Sequence, residues 1–167
     1  MGGENSVMIK RGTLKEIEKE EMSAFELSGI YLLPAQIKAG EYIYPENSDA
    51  IAKLFRAENL KFAQLPSVEK VSYQELRDNS WLGPIIFYSY SACTENPQLI
   101  SISLGIISNY LTEIFRGNFG NPQAKLEIIT EVERGKKYQR INYDGPVSGM
   151  SELPKIVEAS WSKKDGD

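Results

Sequence analysis

The spacing of apolar residues changes several times along the chain, and each change marks an element. In SDAIAKLFRAEN, Ile51, Leu54 and Phe55 recur at helical spacing behind Ser48, which predicts a helix capped by that serine. Further on, Leu126, Ile128, Thr130 and Val132 alternate with Lys125, Glu127, Ile129 and Glu131. Beyond a short Arg134-Gly135-Lys136 turn, Ile141 and Tyr143 share one side while Arg140 and Asn142 share the other. Two alternating runs joined by such a turn predict a β-hairpin, AKLEIITEVE followed by KYQRINYD.

Shorter runs predict the remaining strands. FELSGIYLL (25–33), EYIY (41–44) and LKFAQL (60–65) are rich in aromatic and aliphatic residues, and each is followed by a proline. WLGPIIFYSYSA (81–92) is almost continuously apolar, which predicts an internal strand covered on both faces, with Gly83 and Pro84 disturbing its start. Capping pairs predict two short helices, one from Thr13 and Glu16 through the acidic run KEIEKEE, the other from Ser72 and Glu75 over SYQELRD. Ser151 opens a last helix, SELPKIVEASW, which tolerates Pro154 in its first turn.

The longest apolar stretch is ENPQLISISLGIISNYLTEIFRG, uncharged from Asn96 to Thr112. Asn96 or Thr94 as N-cap, Pro97 at the first position and Gly117 at C′ predict a helix over 97–116. At about 100° per residue, Leu99, Ile102, Ile106, Ile107, Tyr110, Leu111 and Ile114 cover roughly half its circumference. Opposite them runs a strip of Gln98, Ser101, Gly105, Ser108 and Thr112, mostly small residues that let another backbone approach closely. Three readings follow: a buried core helix, a helix whose strip meets a partner or a second copy, or a membrane insertion. The serines, Asn109, Glu113 and the lack of a flanking basic cluster weigh against the membrane.

Taken together, the elements predict a mixed α/β fold: a mixed β-sheet covered by helices, with the central helix 97–116 and a C-terminal hairpin plus helix. One domain is expected over 25–161, preceded by an N-terminal segment 1–24 with a short acidic helix and followed by a disordered tail, 162–167.

Composition narrows the chemistry. The 167 residues carry a net charge of −4, which argues against nucleic-acid backbone binding. The absence of histidine removes Ser–His–Asp triads, Cys–His dyads, histidine bases and the usual zinc sites. A single cysteine, Cys93, excludes an intrachain disulfide and reads as a buried structural thiol. RGNFGNP follows a helix, so its glycines form a cap and a turn and not a phosphate loop. With scattered carboxylates as well, the expectation is a non-enzyme without metal or cofactor. The start MGGENSVMIK shows no signal-peptide pattern, which makes the cytoplasm the expected compartment, although it fits the loose rule for myristoylation at Gly2.

Two groups are candidate binding residues. Ser101, Gly105, Ser108 and Thr112 form the small-residue strip, with the hairpin edge as a second contact surface. Tyr42, Tyr44, Tyr88 and Tyr90 form two Tyr-x-Tyr pairs that offer a stacking platform for a nucleotide or other small ligand, or else pack in the sheet.

Residues 50–160, with a strand, the long apolar helix, the hairpin KLEIITEVERGKKYQRINYDGP and a terminal helix, resemble the small effector-associated constant-component accessory domains of bacterial conflict and anti-phage systems. The resemblance implies a non-catalytic adaptor or sensor that binds a protein partner, and it supplies no catalytic residues. Against that stand a small-ligand or nucleotide sensor and a membrane-perturbing effector using residues 81–116.

Overall fold

The computed structural model describes residues 6–12, 29–34, 36–38, 41–45, 48–64, 71–74, 80–117, 122–133 and 137–162. The expected Thr13–Glu16 helix, Gly2, residues 25–28, the hairpin tip 134–136 and the tail from 163 lie outside them. Within the described residues the fold is mixed α/β, as the element pattern predicts.

Among the described residues the main sheet has seven strands. Its path runs β1 (Ser6–Gly12), β10 (Lys137–Pro146), β9 (Gln123–Glu133), β8 (Ile85–Tyr88), β2 (Ile30–Leu33) and β5 (Phe62–Gln64), with β7 (Ser80–Leu82) also beside β9. A smaller sheet joins β3 (Gln36–Lys38), β4 (Glu41–Pro45) and β6 (Val71–Gln74). The β9–β10 hairpin forms as expected, and its register sets Ile128 opposite Ile141 and Leu126 opposite Tyr143. A bulge between Lys137 and Tyr138 shifts the ladder by one residue near the turn.

Both edges of the hairpin are occupied. β1 pairs antiparallel with β10 from Ser6↔Asp144 to Gly12↔Tyr138, and β8 runs parallel beside β9. The hairpin edge is therefore not the open contact surface that the sequence suggested. β1 itself is not predicted by local pattern, since it shows little alternation and pairs with a segment more than a hundred residues away.

Two further expectations are corrected. Ser72 to Gln74 extend in β6, parallel to β4, where a helix over SYQELRD was expected. Local capping signals are weak compared with the gain from a strand ladder, and Val71 and Tyr73 are good strand formers. The 81–92 stretch is also not one strand. Gly83 and Pro84 split it into β7 and β8, both parallel to β9, and a helix takes over at Tyr90. Close packing makes Gly83 necessary: a Cβ there would run into the Trp81 ring and lie 2.8 Å from Leu126.

β8 is internal, as its continuous hydrophobicity predicts. Ile86 and Tyr88 enter the larger core with Ile128, Ile141 and Tyr143, whereas Phe87 faces the other way with Tyr31, Leu33, Ile129 and Tyr138. Among the described residues, four helices contribute to the larger core and so cover the same face of the sheet: α1 (Ser48–Ala57), α2 (Tyr90–Glu95), α3 (Gln98–Ile114) and α4 (Leu153–Ser162). A 3₁₀ turn, Val147–Glu152, leads from β10 into α4. In α1, Ile51 and Phe55 are buried as expected while Leu54 is half-buried. α1 ends in a Schellman motif, with Leu60 N–H bonded to Phe55 O at 2.9 Å, Asn59 N–H to Arg56 O at 3.0 Å, and Asn59 at φ 59°.

Candidate functional site

α3 is the centre of the helical layer. It touches α1, which precedes the edge strand β5, and α4 with its 3₁₀ turn, which follow β10 near the opposite edge. α3 thus lies between α1 and α4, one face on the sheet and the other outward.

Its start differs from the expected cap. The helix begins at Gln98 behind Pro97, with no side-chain cap hydrogen bond. The Thr94 hydroxyl donates to Tyr90 O at 2.8 Å within α2, and Asn96 contributes its backbone carbonyl, which accepts from Leu99 N–H at 2.9 Å. At the other end Gly117, at φ +87°, takes the left-handed position expected of C′.

The buried face is Ile100, Ser103, Leu104, Ile107 and Leu111. It is rotated from the one that hydrophobicity alone predicts: Ile102 and Ile114 are 45% and 43% exposed, and a serine sits in the core. Ser103 is admitted because it is bonded. Its hydroxyl lies 2.6 Å from the Tyr88 hydroxyl and 2.7 Å from Leu99 O. Donation from Ser103 to Leu99 O leaves Tyr88 as donor to Ser103, so both buried groups are satisfied.

The predicted strip lies on the solvent side of this helix. Ser101 and Thr112 are exposed, Gly105 and Ser108 half-buried, and Thr112 Oγ1 donates to Ser108 O at 2.9 Å. No atom outside the immediate neighbourhood of Gly105 comes within 4 Å of a Cβ placed there. The small residues therefore do not serve an approach by the protein's own sheet. Exposed Ile102, which hydrophobicity alone assigns to the buried half, joins them. Its signal was present: Gln98, Ile102, Gly105, Asn109 and Thr112 alternate in steps of four and three.

Two of the four candidate tyrosines, Tyr44 and Tyr88, are core residues and offer no exposed stacking face. Tyr44 and Tyr88 are fully buried, and the Tyr44 hydroxyl donates to Leu32 O at 2.9 Å, linking the small sheet to the large one. Tyr90 is half-buried at the start of α2, and the side chain of Tyr42 lies outside the described residues.

No family model, curated protein or solved structure matches the chain.

Other polar clusters have structural partners. Ser89 Oγ accepts from Gly29 N–H at 2.6 Å and from Ala92 N–H at 3.1 Å, and lies 3.1 Å from Ser91 Oγ. The Glu131 carboxylate accepts from Tyr90 N–H at 2.7 Å. These bonds fix the β8–α2 junction. Cys93 is buried in α2, with Sγ 4.0 Å from Tyr88 O, as a structural thiol would be. Burial pushes the phenols of Tyr88, Tyr138 and Tyr143 above their ordinary range. Among the described residues no group of three or more metal-binding side chains converges, and no helix is long and apolar enough to cross a membrane.

Proposed function

We propose that this protein is a non-catalytic binding protein, an accessory or regulatory component that docks a protein partner on the outward face of α3. The observation that carries this reading is the uncovered centre of that face. Gly105 opens onto space where a Cβ would touch nothing, beside an isoleucine that is 45% exposed. An exposed apolar side chain next to a small-residue gap provides a knob and a shallow hole for a second helix. The face is uncharged from Asn96 to Thr112, so it suits an apolar or neutral polar partner surface.

The sequence resemblance to accessory domains of bacterial defence systems supplies the cellular setting of the proposal. The test is light scattering of the purified full chain, alone and mixed with the products of adjacent genes. Gly105→Leu fills the gap and abolishes the complex while circular dichroism stays unchanged. A complex of the same mass and affinity with Gly105→Leu excludes this face as the docking surface.

A further inference from the structure

The outward row of α3 and the charges on either side of it select one occupant. We infer that a second copy of this chain docks there, with the two α3 helices parallel across a twofold axis; the inference rests on the binding role proposed for this face.

Two independent observations point to that axis. The first is the row itself. Gln98, Ile102, Gly105, Asn109 and Thr112 follow the four–three spacing of a short two-helix seam, and all point away from the sheet except for the half-buried flank of Gly105. In a parallel twofold pair each of these residues meets its own copy. Asn109 then faces Asn109 and Gln98 faces Gln98, and a carboxamide is both donor and acceptor, so each can bond its twin. Gly105 and Thr112 are small enough to let the helices close, and Ile102 supplies the apolar contact. An asparagine at such a position is a known device for fixing register and orientation.

The second observation is charge. Residues 48–61, on the α1 flank, carry three cations, Lys53, Arg56 and Lys61, against Asp49 and Glu58. Residues 147–162, on the α4 flank, carry Glu152 and Glu158 against the single cation Lys155. Lys53, Asp49, Glu152, Lys155 and Glu158 are all exposed. A twofold axis along α3 lays the α1 flank of each copy over the α4 flank of the other, so surplus positive meets surplus negative charge twice. An axis across α3 would lay like flank on like flank. Charge complementarity of this kind sets orientation more than affinity.

The experiment uses the full chain. Light scattering is expected to give about twice the 18.8 kDa chain mass, and Ile102→Glu to return it to the single-chain mass with unchanged circular dichroism. In a Cys93→Ser background, Ile102→Cys and Thr112→Cys are each expected to cross-link to themselves when oxidised with copper phenanthroline. Lys53→Glu lowers the dimer fraction, and adding Glu158→Lys restores it. A single-chain mass for the unaltered protein at 100 μM, on the order of a weak-dimer threshold, overturns the inference. Cross-linking only in a mixture of the two cysteine variants overturns the parallel arrangement. If the unaltered protein is a monomer but binds an adjacent gene product, and Gly105→Leu abolishes that binding, the docking role stands and the second copy is excluded.

Discussion

The Tyr88 hydroxyl lies 2.6 Å from Ser103 Oγ, inside the core, and this pair ties the internal strand β8 to the central helix α3. It also decides which way α3 faces. With Ser103 turned inward to meet Tyr88, Ile102 is turned outward onto the surface.

The two halves of the pair have unequal costs. Tyr88→Phe removes one hydrogen bond but leaves Ser103 bonded to Leu99 O, so about 1 kcal/mol is expected. Ser103→Ala leaves the Tyr88 hydroxyl buried opposite a methyl group and is expected to cost more, roughly 2–3 kcal/mol. Urea unfolding of both variants decides this, and equal losses would contradict the assigned direction of donation.

Alkaline pH should weaken the fold through the same tyrosine. Desolvation by burial raises the Tyr88 phenol above its ordinary 10.0; the Ser103 bond lowers it in part, and Cys93 raises it further. A raised native pKa means that the neutral form is favoured in the fold. The contribution is therefore complete below the unfolded value and is lost as pH rises beyond it. The urea midpoint is expected to fall above about pH 10, and to fall less steeply in Tyr88→Phe.

Two glycines should respond in opposite ways. Gly83→Ala drives a Cβ into the Trp81 ring and Leu126, with an expected loss of about 2–3 kcal/mol. Gly105→Ala meets nothing within 4 Å inside its own chain and gains helix propensity, so at concentrations dilute enough to keep the chain single the thermal midpoint should rise by the equivalent of about 1 kcal/mol. A destabilised Gly105→Ala protein would show that α3 is not open at this point.

Ser89 joins β8, α2 and the start of β2. Ser89→Ala strips the acceptor from Gly29 N–H and Ala92 N–H together, leaving only its backbone bonds, Ser89 N–H to Gly29 O at 2.9 Å and Cys93 N–H to Ser89 O at 3.0 Å. Loss of a cap and of a part-buried acceptor is expected to cost about 2 kcal/mol. Amide exchange at Gly29 and Ala92 should accelerate more than exchange at Ile107, which lies elsewhere in the core.

Much of the fold is legible in local pattern. The hairpin is written in alternation: Leu126 and Ile128 can share a face only in an extended strand, and Tyr143 and Ile141 answer them across the turn. The helices over 48–57 and 98–114 follow from helical spacing, the second closed by Gly117. β6 was not legible, because Ser72 and Glu75 imitate a cap and only the ladder to Ile43–Pro45 makes the segment extended. β1 was hidden for the same reason, since its partner is β10 at the far end of the chain.

The candidate surface was legible only in part. Sequence alone determined that α3 is a neutral helix with Ser101, Gly105, Ser108 and Thr112 along one strip, because periodicity is a property of the chain itself. It also placed Ile102 with the core, because hydrophobicity ranks isoleucine above serine. The tertiary structure reversed that order. The Tyr88 hydroxyl, fixed on a buried strand, requires a hydrogen-bond partner, and Ser103 supplies it; the resulting rotation of α3 sets Ile102 beside open Gly105 in solvent.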